Sequence, residues 1–81
     1  MNKQFSEDEA KSIGDQLGVD WNKISLKEYH MGVNVELEHG TRDSKTNVTN
    51  DDPILTGKIA LAHLNEMSDY YSKLKAMEGE E

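Results

Sequence analysis

Three helix-start signatures divide this 81-residue chain, and no strand-like alternation of apolar and polar residues persists between them. Ser6-x-x-Glu9 and Ser25-x-x-Glu28 are capping boxes, in which a hydroxyl accepts from the third helical N–H and the carboxylate reaches back. Asp52-Pro53 joins an N-cap carboxylate to a proline at the first helical position, where its missing N–H costs nothing. After the first signature Ala10, Ile13 and Leu17 recur on one face, and Phe5 is placed to staple against Ala10. Gly18 supplies a left-handed stop. A helix is therefore predicted over Glu7–Leu17. Val19, Trp21 and Ile24 make an apolar connector, with the single tryptophan anchoring it over the core.

The second helix carries Leu26, Tyr29, Val33 and Leu37 at helical spacing and is predicted to end at Gly40. Gly32 lies in its middle at a cost of about 1 kcal/mol relative to alanine. Close approach of another helix would compensate. The third helix starts at Pro53 and is expected to place Leu55, Ile59, Ala62, His63 and Glu66 on one face, flanked by Leu61 and Leu64. A break is expected at Met67-Ser68, with Ser68 capping a last helix through Tyr70, Tyr71, Leu74 and Met77. One uninterrupted helix is the alternative. The predicted fold is all-α: a small three- to four-helix bundle in one domain, 1–81, with an ordered core over about 5–77 and a fraying acidic tail at 78–81.

Residues 41–52 are polar, lack an apolar period and are predicted to form one long loop. Asp43, Asn47, Thr49 and Asp51 resemble alternating calcium ligands, but no glycine stands at the turn and Ile54 occupies the closing glutamate position. An EF-hand is rejected; Asx- and ST-turns fit these residues better.

A chain this short buries only about 60% of its unfolded surface, so a polar network, a metal or a dimer contact would matter to it. The absence of cysteine excludes disulfides and thiolate–zinc sites and suits a reducing cytoplasm. No apolar run approaches a signal or membrane segment, and neither a membrane nor a nucleic acid is expected as a partner. Sixteen acidic against nine basic residues give a charge of −7, which opposes phosphate binding, and the lysines are scattered.

The candidate chemistry lies in two mirrored dyads, Glu36-x-x-His39 and His63-x-x-Glu66. Residues three apart share a helix face, so each dyad presents a carboxylate and an imidazole together. His63 stands in the apolar run Ile59-Ala60-Leu61-Ala62-His63-Leu64, where a buried imidazole needs a partner, with Glu66 one turn away. The four residues would suit zinc, iron or manganese. In a tight antiparallel hairpin the dyads are offset by about 15 Å, a gap that only a returning loop or steep helix crossing closes. The structural alternative makes His39 a helix C-terminal cation and centres the polar core on His63, Glu66 and Tyr70. Tyr71, adjacent to Tyr70, is then the residue offered to a partner. Ser68-Asp69 lacks a base nearby, and no nucleophile elbow, phosphate loop or dinucleotide fingerprint occurs.

Several segments together resemble a family of short uncharacterised helical proteins from bacteria and from phage or prophage gene sets: Phe5-Ser6-Glu7, Leu17-Gly18-Val19-Asp20-Trp21, Glu38-His39-Gly40, Asn47 to Pro53, Gly57 to Leu64 and Asp69-Tyr70-Tyr71. The stretch from Asp51 to Tyr71 is the most specific. The resemblance implies a stand-alone helical domain and a phage-associated role, and it transfers no catalytic residue. The family pattern has proline before Asp-Tyr-Tyr, where this chain has Ser68. The resulting expectation is a cytoplasmic, non-enzymatic interaction or structural module with a protein partner, itself a monomer or weak homodimer and without a cofactor. A metal-binding protein using Glu36, His39, His63 and Glu66 is the alternative, and a small hydrolase-like enzyme the third reading.

Overall fold

The computed structural model describes residues 4–42 and 52–77, the side chains of 39–42 excepted. Those residues form four helices and no strand: α1 (Glu7–Leu17), α2 (Leu26–Arg42), α3 (Pro53–Glu66) and α4 (Tyr70–Met77). The helix starts are set by the expected chemistry. Ser6 Oγ accepts from Glu9 N–H at 3.1 Å while Glu9 accepts from Ser6 N–H at 2.8 Å, completing the box. Gly18 closes α1 in the left-handed region, at φ 79° and ψ 29°. Asp52 accepts from Ile54 and Leu55 N–H at the start of α3.

The connector is anchored as its apolar spacing implies. Val19 and Ile24 are buried, and the half-buried Trp21 donates its indole N–H to Asp15 at 2.8 Å. Its ring occupies the space that a Cβ on Gly14 would need, and it meets Tyr29 edge-on at 5.6 Å. Small size at position 14 is what lets the indole lie down on α1.

α2 is the central element and packs against α1, α3 and α4. Three stripes of residues four apart divide its surface. Tyr29, Val33 and Leu37 are fully buried and form the core stripe. His30 and Asn34 hold the strap before α1: Asn34 accepts from Phe5 N–H at 2.7 Å and donates to Phe5 carbonyl at 3.0 Å, while His30 Nε2 donates to the same carbonyl at 2.8 Å. Glu28, Gly32 and Glu36 form the third stripe, on which α4 lies.

Four expectations are corrected. α2 does not stop at Gly40 but continues to Arg42, since a glycine in α conformation ends nothing by itself. The predicted loop, 41–52, thereby loses residues 41 and 42 to α2, ends in Asp52 at the cap of α3, and between them 43–51 lie outside the described residues. The inward face of α3 is Thr56, Gly57, Ala60 and Leu64, whereas Leu55, Ala62 and Glu66 are exposed. The reason is close helix packing: a Cβ on Gly57 would collide with Ile13, Leu17 and the Tyr29 hydroxyl, which donates to Gly57 carbonyl at 3.1 Å. Finally, α3 and α4 do separate after Glu66, but α4 begins at Tyr70, which leaves Ser68 in the turn, one residue ahead of the capping position.

Candidate functional site

The polar centre of the molecule is the seam between the Glu28–Gly32–Glu36 stripe and the first turn of α4. Gly32 has no side chain, and the Tyr71 ring fills the space where a Cβ would stand. The close approach expected for this glycine is supplied by that ring. Tyr71 is 1% exposed, and its hydroxyl donates to Glu36 Oε2 at 2.7 Å. Burial, then the Glu36 hydrogen bond and charge, push the Tyr71 phenol well above its ordinary range, because each disfavours a phenolate there.

One turn towards the start of α2, the buried Glu28 carboxylate takes two bonds from Ser72. Its Oε2 accepts from the backbone N–H at 2.8 Å and its Oε1 accepts from the hydroxyl at 2.6 Å. This is a helix cap delivered across space. The first N–H groups of an α-helix have no internal acceptor, and a carboxylate satisfies one while meeting the positive end of the helix dipole. The Ser25-x-x-Glu28 box is consequently only half formed. Ser25 Oγ accepts from Glu28 N–H at 3.0 Å, but the Glu28 carboxylate is turned to α4.

The third helix contributes His63, whose Nε2 stands 3.6 Å from Glu36 Oε2. The imidazole stacks on Tyr70, with centroids 4.5 Å apart and planes 6° from parallel, and meets Tyr71 edge-on at 6.1 Å. Tyr70 and Tyr71 are themselves perpendicular at 4.9 Å. One carboxylate thus joins α2, α3 and α4.

The two dyads are therefore half united. Glu36 and His63 meet, but Glu66 is exposed, and the His39 side chain lies outside the described residues. Among the described residues no group of three or more histidines and carboxylates is close enough to hold a metal ion. His63 is not in a dry core: its side chain is 39% exposed, because it sits beside the inward face of α3 rather than on it. Tyr70 belongs to the polar centre as expected, through the stack on His63, but Glu66 does not. The partner-facing role expected of Tyr71 is overturned by its burial over Gly32; Tyr70 is the more exposed of the pair.

Ser72, His30 and Asn34 were not singled out by sequence reasoning, and Glu28 was read only as the carboxylate of a capping box. A usable signal exists for Glu28: it stands four residues before Gly32 and eight before Glu36, which marks a polar stripe with a gap for another element.

The sequence comparison finds a family match over most of the chain. A family model described as "Protein of unknown function (DUF5661)" matches residues 10–80. No curated protein and no solved structure matches the chain. Among the described residues no helix is long and apolar enough to cross a membrane.

Proposed function

We propose that this chain, which belongs to the DUF5661 family, is a non-enzymatic interaction module that binds a protein partner through the outer face of α3. One observation carries the reading: α3 is apolar on more sides than the bundle covers. Its inward face is built largely from small residues, Thr56, Gly57 and Ala60, while Leu55 is 43% exposed, Ala62 is exposed and Ile59 is half-buried. Positions 55, 59 and 62 follow one another along a single stripe, and a stripe of that kind is the usual anchor for a partner surface. The polar centre supports the same reading. The Glu28 oxygens and the Tyr71 hydroxyl are engaged in holding helices together, so these groups act as structure rather than as acids or bases. The resemblance to phage and prophage proteins favours a cytoplasmic bacterial setting and a phage-associated role. The charge of −7 makes a nucleic acid an unfavourable ligand.

The test is Leu55→Glu combined with Ile59→Glu. Both substitutions lie away from the inward face, so the melting temperature should remain close to that of the parent. A protein captured by the parent from its native host, and identified by mass spectrometry, should be lost. Retention of that partner by a folded double variant would end the proposal.

A second reading, a zinc, iron or manganese site, draws on one specific observation, the approach of Glu36 and His63. It expects a divalent metal to raise the melting temperature and His63→Ala to abolish the rise. No rise with any of the three metals removes it.

A further inference from the structure

Nothing in the residues between α3 and α4 obliges the chain to break there. From Lys58 to Met77 there is neither glycine nor proline, and Met67, Ser68 and Asp69 are all tolerated inside a helix. The separation is made by Met67 in an extended conformation, φ −152° and ψ 107°, followed by a turn in which Tyr70 N–H donates to Met67 carbonyl at 3.0 Å. α4 has eight residues, too few for a helix to persist alone. It is held by its seat on α2: Tyr71 over Gly32, Tyr71 hydroxyl on Glu36, and Ser72 on Glu28.

We propose that α4 is exchanged between two copies of this chain. The connector straightens, α3 and α4 become one helix over Pro53–Met77, and each α4 takes the Glu28–Gly32–Glu36 seat of the other copy. Each contact that α4 makes on its own α2 is remade across a twofold axis, which is why exchange is a low-cost route to a dimer. The connector residues meanwhile gain helical hydrogen bonds that the turn denies them. A three-residue link is short, the condition under which swapping is favoured.

The occupant is a second α4 because the seat is shaped, and its hydrogen-bond acceptors placed, for that element. It offers a gap sized for a ring at Gly32 and carboxylates at Glu28 and Glu36. α4 brings the ring and its hydroxyl on Tyr71 and the two donors of Ser72, and carries no acidic residue to oppose those carboxylates. The overall charge of −7 on each copy opposes association, so added salt promotes it. This exchange goes beyond the partner proposed for the outer face of α3 and leaves that face open.

The test is light scattering on size-exclusion fractions of the full chain, at low and high protein concentration and after refolding from denaturant at high concentration. A species of twice the monomer mass should appear, grow with concentration and increase in salt. Ser68→Pro should abolish it. A proline there forbids a helix through the connector, yet suits the compact form, since Met67 already has the extended backbone that a residue before proline requires. Insertion of two glycines after Ser68 should likewise return the protein to monomer, and it decides the matter if Ser68→Pro fails to fold. A parent that stays monomeric under all these conditions overturns the exchange. So does a dimer that survives the glycine insertion; if Leu55→Glu with Ile59→Glu removes that dimer, the outer face of α3 made it.

Discussion

Gly32 is where the sequence trades local helix stability for tertiary contact. In an exposed helix, replacing glycine by alanine gains about 1 kcal/mol. Here the new methyl meets the Tyr71 ring, which is itself tied at its far end to Glu36 and cannot swing aside without losing that bond. Overfilling a packed site of this kind costs about 1–3 kcal/mol. Gly32→Ala should therefore lower the melting temperature, whereas the same change at a solvated helical glycine would raise it. In a Tyr71→Ala background the same Gly32→Ala change should cost little, because the space is already cleared, so the double variant should lose less than the two single losses added together. Thermal melts of the two single variants and the double variant decide it. Gly14 and Gly57 follow the same logic for Trp21 and for Tyr29 with Ile13.

At the level of the elements, the boundaries that rest on side-chain caps were legible in the sequence. Ser6, Glu9, Gly18, Asp52 and Pro53 act within a few residues of themselves, so one-dimensional reading finds them. The features that were not legible are those in which a local partner competes with a distant one. Glu28 has Ser25 three residues away, yet its carboxylate goes to Ser72, 44 residues on. His63 has Glu66 one turn away, yet faces Glu36. The inward face of α3 was misread for a related reason: close packing selects small residues, and hydrophobic periodicity follows large ones. The Glu28 contact sets a measurable order. Glu28→Ala leaves the Ser72 N–H and hydroxyl without their shared acceptor, while Ser72→Ala removes the hydroxyl bond alone. Both bonds end on the same carboxylate and are charge-assisted, each worth about 1.5–3 kcal/mol, so Glu28→Ala forfeits two and Ser72→Ala one. Hydrogen exchange should show α4 amides losing protection strongly in Glu28→Ala and weakly in Ser72→Ala, with α1 and α3 nearly unchanged. Equal loss across all four helices would mean that α4 is not separately held.

For the whole molecule, stability converges on two tyrosines, Tyr29 on α2 itself and Tyr71 in the first turn of α4. Tyr29 joins α2 to α3 through its hydroxyl and packs edge-on against Trp21; Tyr71 joins α4 to α2. Burial pushes the Tyr29 phenol up from 10.0 to about 12, and it raises Tyr71 further with the help of Glu36. The direction fixes the sign of the pH dependence. A group that holds its proton more tightly when folded contributes stability that is complete below its unfolded pKa and disappears as pH rises through the folded one. The protein should accordingly lose stability across the interval from about pH 10 to 12, beyond what its growing negative charge produces. Tyrosinate absorbance and helical circular dichroism should change together over that interval, since the buried phenols ionise only as the bundle opens. Tyr29→Phe removes one of the two groups that couple ionisation to unfolding. It should be less stable at neutral pH by about 0.5–1.5 kcal/mol for the lost hydrogen bond, yet show a shallower decline above pH 10. If all three tyrosines ionise near pH 10 with the helical signal intact, Tyr29 and Tyr71 are not held inside a single cooperative core.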